Sequence, residues 1–181
     1  MTQADRVDIL RSEWANVRPD VDTTPVAVVA RIGRSARFLD EAMDHFFSAA
    51  GLTRVTWDIL ATLRRAGAPY RLSPTDLYRA VMRSSGAMTR QLDNLEQRGL
   101  VSRSADPDDR RGVQVALTPA GLDLVDSLAQ RHMENERALL SALSPDEQDQ
   151  LAALLRKLLL NFESGGQDGA DRSQSQSAEG A

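Results

Sequence analysis

The stretch Asp106-Pro107-Asp108-Asp109-Arg110-Arg111-Gly112, followed by Val113-Gln114-Val115-Ala116-Leu117, decides the fold. It is a charged turn closed by Gly, set before an alternating apolar segment and after Gly99-Leu100-Val101-Ser102-Arg103. Two short strands, Leu100–Arg103 and Val113–Leu117, are predicted around it. Short strands joined by a long, arginine-tipped loop make a poor core element and a good probe for a nucleic-acid groove. Just upstream lie two short helices of helix-turn-helix size. Ser73-Pro74-Thr75-Asp76 opens one that runs to about Met82; Ser84 opens another that runs to Arg98 and stops at Gly99. The fold class read from this is mainly α with a small β wing, a winged helix-turn-helix, and hence a DNA reader.

Working outward, Val7, Leu10, Trp14 and Val17 recur at helical spacing, so a helix is expected from about Thr2 to Val17, stopped by Arg18-Pro19-Asp20. Thr24-Pro25 reads as a cap followed by Pro at the first helical position, opening a long helix from about Pro25 to Ala50 that ends at Gly51. Thr53 or Thr56 caps a helix with Trp57, Leu60 and Leu63 inward. Thr118-Pro119-Ala120-Gly121 opens a helix to about Ala142, and Ser144-Pro145-Asp146-Glu147 is a capping box for a last helix ending near Phe162. The domains expected are 1–52 (an extra helix plus a dimerisation helix), 53–118 (the winged helix-turn-helix), 119–163 (C-terminal dimerisation helices) and 164–181, a disordered tail of Gly, Ser, Gln, Asp and Ala. The terminal helices carry more apolar surface than a domain of this size buries alone. An intertwined homodimer hides it and sets two heads against a two-fold related, pseudo-palindromic operator, with half-sites about 10 bp apart or a multiple of that.

Composition removes several classes of activity. The 181 residues contain no Cys, which excludes disulfides, thiol nucleophiles and thiolate metal sites. His45 and His132 are the only histidines and lack metal-ligand spacing, so no metal and no cofactor are expected; both read as partly exposed helix residues without a role. There is no nucleophile-base pairing and no glycine-rich phosphate loop, so no enzyme is expected. No stretch reaches the roughly 18 apolar residues of a membrane span, and Met1-Thr2-Gln3-Ala4-Asp5-Arg6 lacks the pattern of a secretory signal, so the expected location is the cytoplasm. Net charge is −4, yet Arg71 to Arg111 holds eight Arg against six Asp/Glu, whereas Leu122 to Glu163 holds three Arg and one Lys against eight Asp/Glu. An acidic DNA binder needs its cations gathered in this way.

In the reading head, Ser84, Ser85, Gly86, Thr89 and Arg90 stand at the start of the second short helix, where free amides meet phosphate and small residues let the backbone approach. Arg90 is long enough for a guanine edge or a phosphate, and Gln91 and Asn94 suit adenine if they face the groove. Met88, Leu92 and Leu95 form the opposite, core-facing stripe. In the wing, Arg111 is the residue expected in the minor groove, with Asp109 holding its guanidinium extended and Arg110 on phosphate. The bland alternative is a solvated helix face and an acidic turn with a surface ion pair.

The run Arg71 to Gly121 resembles the MarR family of bacterial transcriptional regulators. The residues that carry it are Leu72-Ser73-Pro74-Thr75-Asp76-Leu77, Ser84-Ser85-Gly86-Ala87-Met88-Thr89-Arg90, Leu95-Glu96-Gln97-Arg98-Gly99-Leu100-Val101-Ser102-Arg103, Asp106 to Gly112 and Leu117-Thr118-Pro119-Ala120-Gly121. The likeness extends to about Phe162. It implies the Asp109–Arg111 pairing and repression as the commoner outcome. The N-terminal half is similar to the urate-responsive subgroup, which adds a helix before the usual first one. Trp14, Arg18-Pro19-Asp20-Val21-Asp22, Thr56-Trp57-Asp58-Ile59-Leu60 and Arg64-Arg65-Ala66-Gly67 carry that likeness. It implies a ligand signature on Trp14, Asp58, Arg65 and Arg103 and, as partners, a double-stranded DNA operator, a second copy of the chain and a small aromatic anion such as urate. The alternatives are a family repressor answering another phenolic or lipophilic effector, and a helical dimeric adaptor that does not bind DNA. Trp14 reads equally as a staple of the first helix to the dimer core, and Asp58 with Arg65 as structural ion-pair members.

Overall fold

The computed structural model describes residues 3–81, 88–106 and 112–178, with side chains to 164. The chain forms two compact units, Met1–Met133 and Glu134–Ala181. In the first, α1 (Arg6–Val17) begins where Asp5 caps it. The Asp5 carboxylate accepts from the amides of Val7 (2.7 Å) and Asp8 (3.0 Å), and Asp8 returns a bond to the Asp5 amide. That capping box starts the helix later than the Thr2 expected from periodicity alone. Helix α2 (Thr24–Ser48) has Thr23, not Thr24, at its cap: the Asp22 carboxylate accepts from the Thr24 amide and draws Thr24 into the first turn. Gly51, at φ +67°, makes the turn into α3 (Arg54–Arg65), which opens on reciprocal bonds between Thr53 and Thr56.

The two-residue strand β1 (Arg71–Leu72) precedes α4 (Pro74–Ala80), which Ser73 caps. Then come α5 (Met88–Gln97), β2 (Val101–Ala105), β3 (Val113–Leu117) and α6 (Pro119–Leu139). The sheet is antiparallel in the order β1-β3-β2, with Val101 opposite Leu117 and Arg103 opposite Val115. Strand β2 begins one residue later than expected, because the Leu100 amide is spent on the Leu95 carbonyl at the exit of α5. The sequence reading missed β1; two residues are too few to show a period.

The core lies where α3, α4, α5 and the sheet meet: Ile59, Leu60, Leu63, Leu77, Leu95 and Val115 are fully buried. Helix α6 starts against this body. Thr118 Oγ1 donates to the Gly99 carbonyl (2.6 Å) and accepts from the Gly121 amide (3.0 Å). A Cβ at Gly121 would stand 2.0 Å from the Leu100 carbonyl oxygen, so only Gly permits this approach. His45 is exposed as read from sequence, but His132 is not: it is 8% exposed, with the Phe46, Phe47 and Trp57 rings at 5.7, 5.0 and 5.3 Å.

In the second unit, Ser144 and Glu147 form the expected capping box ahead of α7 (Pro145–Ala178). Leu151, Leu154, Leu158, Leu159, Leu160 and Phe162 are exposed on it. The helix continues to Ala178 rather than ending near Phe162, so 164–178 are helical where a structureless tail is expected; no proline or cap interrupts that run. Among the described residues no helix is long and apolar enough to cross a membrane.

Candidate nucleic-acid interface

Helix α5 is amphipathic as its spacing demands. Met88, Leu92 and Leu95 face the core, while Thr89, Arg90 and Asn94 are exposed and Gln91 is half-buried. The Tyr78 hydroxyl lies 3.2 Å from Thr89 Oγ1, tying α4 to the start of α5. A recess of about 290 Å3 between the start of α3 and α5 is lined by Gly51, Thr53, Thr56, Arg90, Gln91 and Asn94. Arg98 donates to the Gly51 carbonyl at 2.7 Å and so holds α5 against the turn before α3. The exposed edge of α5 thus offers a guanidinium, an amide and a hydroxyl on a buried, fixed base, the donor set that base edges and phosphates accept.

The wing begins from a closed base: the Asp106 amide donates to the Gly112 carbonyl at 2.9 Å, and Gln114 Nε2 donates to the Asp106 carboxylate. Thr89, Arg90 and Asn94 are therefore placed by the structure. Ser84, Ser85, Gly86, Asp109, Arg110 and Arg111 lie outside the described residues.

The four residues of the implied ligand signature sit on three elements. Trp14, on α1, is 45% exposed, and α1 packs along α2. Asp58 and Arg65 lie two turns apart on α3; Asp58 is half-buried, and Arg65 is exposed and donates to Thr62 Oγ1 at 2.9 Å. Arg103, on β2, turns to α5. Its Nη1 is 2.7 Å from Asp93 Oδ1 and 2.8 Å from Glu96 Oε2, and its amide donates to Glu96 Oε1 at 3.1 Å. The Asp93 carboxylate foremost, with Glu96, holds the guanidinium above its ordinary pKa. Sequence reasoning missed this clamp, although carboxylates three apart on α5 were its visible signal. It also missed Arg64, which pairs with Asp126 of α6 at 2.7 Å and lies over the Tyr70 ring at 5.0 Å.

A model of the MarR family matches residues 52–113. The transcriptional regulator PecS of Dickeya dadantii is 41% identical over 146 residues, spanning 81% of this chain and 88% of PecS. The structure of an Escherichia coli MarR variant complexed with operator DNA superimposes with a TM-score of 0.65 at 26% identity, covering 81% of this chain and 97% of that one. The Bordetella bronchiseptica regulator BpsR, described as controlled in its DNA binding by 6-hydroxynicotinic acid, superimposes with a TM-score of 0.64 at 27% identity, over 72% and 91% of the two chains. The chain belongs to the MarR family of winged helix-turn-helix, DNA-binding regulators of transcription, whose members are not enzymes.

Proposed function

We propose that this regulator binds a pseudo-palindromic operator as a homodimer in the cytoplasm, represses, and is released by a small aromatic anion, with urate as the first candidate. The observation that carries the reading is the exposed Thr89–Arg90–Asn94 edge of α5, backed by buried Met88, Leu92 and Leu95 and flanked by a closed wing base. In this reading Ser84, Ser85, Gly86, Thr89, Arg90 and Asn94 meet the major groove and its phosphates. Arg111, aligned by Asp109, enters the minor groove, and Arg110 meets phosphate. Trp14, Asp58, Arg65 and Arg103 form the effector site. An anion that engages Arg103 competes with Asp93 and Glu96 and so loosens α5 from β2. Repulsion of Asp58 displaces α3 in the same sense. A coupling of roughly 1–3 kcal/mol suffices for such a response. The control of BpsR by a hydroxylated pyridine carboxylate supports the chemical class and keeps other single-ring acids as alternatives to urate.

The test is fluorescence anisotropy with DNA flanking the chain's own gene. Arg111→Ala and Arg90→Ala each weaken operator binding by about 1–3 kcal/mol. Urate reverses binding by the parent, while Trp14→Ala and Arg65→Ala still bind DNA but no longer respond. Unchanged affinity in both DNA variants would refute the interface. A full response in both ligand variants would refute the effector site.

A further inference from the structure

Helices α2 and α5 end in the same way. At the exit of α2 the Gly51 amide donates to the Ser48 carbonyl at 2.9 Å and the Leu52 amide to the Phe47 carbonyl at 3.0 Å. At the exit of α5 the Gly99 amide donates to the Glu96 carbonyl and the Leu100 amide to the Leu95 carbonyl, both at 2.9 Å. With φ of +67° at Gly51 and +68° at Gly99, each is a Schellman closure, which fixes the direction in which the chain leaves its helix.

One side chain joins the two closures. Arg98 directly follows the last residue of α5, and its Nη1 donates to the Gly51 carbonyl at 2.7 Å. A Cβ at Gly51 would stand 3.4 Å from Arg98 Nη2, so the guanidinium lies against the turn itself. A helix C-terminus carries the equivalent of about half a negative charge, and here a single cation serves two of them. The next residue makes a second tie. The Gly99 carbonyl accepts from Thr118 Oγ1 at 2.6 Å and the Leu100 carbonyl from the Thr118 amide at 3.1 Å, which secures the same exit to the start of α6.

The consequence rests on the operator-binding homodimer proposed above, in which α2 and α6 belong to the dimer and α5 enters the groove. In a two-fold dimer the separation of the two reading helices depends on how each sits on its own dimerisation helices, and operator half-sites demand a fixed separation. Helix α5 packs on α3 and β2, which are parts of the head and move with it. Arg98 reaches out of the head to the end of α2. Arg98 and Gly51 are both exposed, so their bond orients the helices without filling the core.

We propose that Arg98 is a positioning residue that sets the half-site spacing the dimer accepts, by fixing the exit of α5 to the end of α2. The test is fluorescence anisotropy on duplexes built from the sequence footprinted beside the chain's own gene, at its own spacing and with one base pair added or removed at its centre. Each such change turns a half-site by roughly 35° and moves it about 3.4 Å, so parent affinity falls about tenfold or more. Arg98→Met weakens binding at the original spacing by about threefold to tenfold, and its loss on the altered duplexes shrinks to about threefold or less. Arg98→Lys, which keeps a cationic donor, restores discrimination and stands as the second variant should Arg98→Met unfold. The salt dependence of Arg98→Met matches that of the parent, because Arg98 meets no phosphate; a slope smaller by about 1 would make it a direct DNA contact and overturn the proposal. Equal spacing discrimination in parent and Arg98→Met overturns it as well, while leaving the operator reading intact. A parent that binds none of the duplexes would sink both together.

Discussion

Arg103 shows how a residue can be legible in position and opaque in partnership. Its place after Gly99-Leu100-Val101 marks it as the strand residue that follows the recognition helix. That Asp93 and Glu96 close on it depends on the fold-back at Gly99, whose φ of +68° brings β2 alongside α5. One guanidinium thereby bridges two carboxylates of the reading helix while its own amide engages Glu96. Hydrogen bonds to charged groups are worth about 1.5–3 kcal/mol. Arg103→Ala is accordingly expected to cost about 2 kcal/mol and to lower the thermal midpoint by roughly 4–8 °C. Operator affinity should fall with it, although Arg103 need not touch DNA. Differential scanning calorimetry beside anisotropy checks this; an unchanged midpoint would mean that the clamp adds nothing. His132 was misjudged at the same scale. A single His on a helix carries no sign of the three rings that surround it, because Phe46, Phe47 and Trp57 come from two other helices.

Elements were more readable than partners. The 3.6-residue period of α5 and the alternation of β3 are strong local signals, and both appear where they point. The starts of α1 and α2 are set by acidic side chains that compete for amides, and hydrophobic spacing does not register them. The same acidic chemistry gives α1 a pH dependence. Arg31 of α2 bonds Asp5 at 2.8 Å and Asp8 at 2.7 Å. The Asp5 pKa is lowered first by the Asp8 amide and then by Arg31; that of Asp8 is lowered first by Arg31. Carboxylates with depressed values favour the docked helix fully above the ordinary carboxylate pKa of about 4, and lose that contribution as pH falls through their lower folded values. Arg31, shifted upward by Asp8 and Asp5, stays charged throughout this window. Hydrogen exchange of the α1 amides should therefore stay slow from neutral pH to about 4 and gain relative to α3 only below it. Added salt should hasten that loss, since these pairs are solvent-accessible. Equal protection of α1 and α3 down to the acid limit would contradict the docking role of the Arg31 pairs.

For the whole molecule, the family and the winged head were legible because many weak signals agreed over one run of chain. The extent of α7 was not, since its Gly- and Ser-containing end contains nothing that forbids a helix and little that favours one. What the molecule leaves uncovered is also informative. Val28, Val29 and Ile32 on α2 and Leu154, Leu159, Leu160 and Phe162 on α7 are all exposed. Each side chain of this kind contributes about 1.5–3 kcal/mol when fully buried. Under the homodimer proposal, Leu154→Glu combined with Leu159→Glu shifts the chain to monomer in sedimentation equilibrium and lowers operator occupancy with it. The monomer should keep its fold, because both positions are already 63% and 56% exposed. A double variant that sediments as the parent does would remove α7 from the interface.

The two tryptophans are the only ones in the chain, and they lie in opposite settings: Trp57 is 7% exposed against Phe47, and Trp14 is 45% exposed on the first helix. The molecule therefore carries two intrinsic optical reporters that can be separated without labelling. A water-soluble quencher selects Trp14 and reads the N-terminal arm. Emission that survives the quencher should come from Trp57 and report on its contact with Phe47.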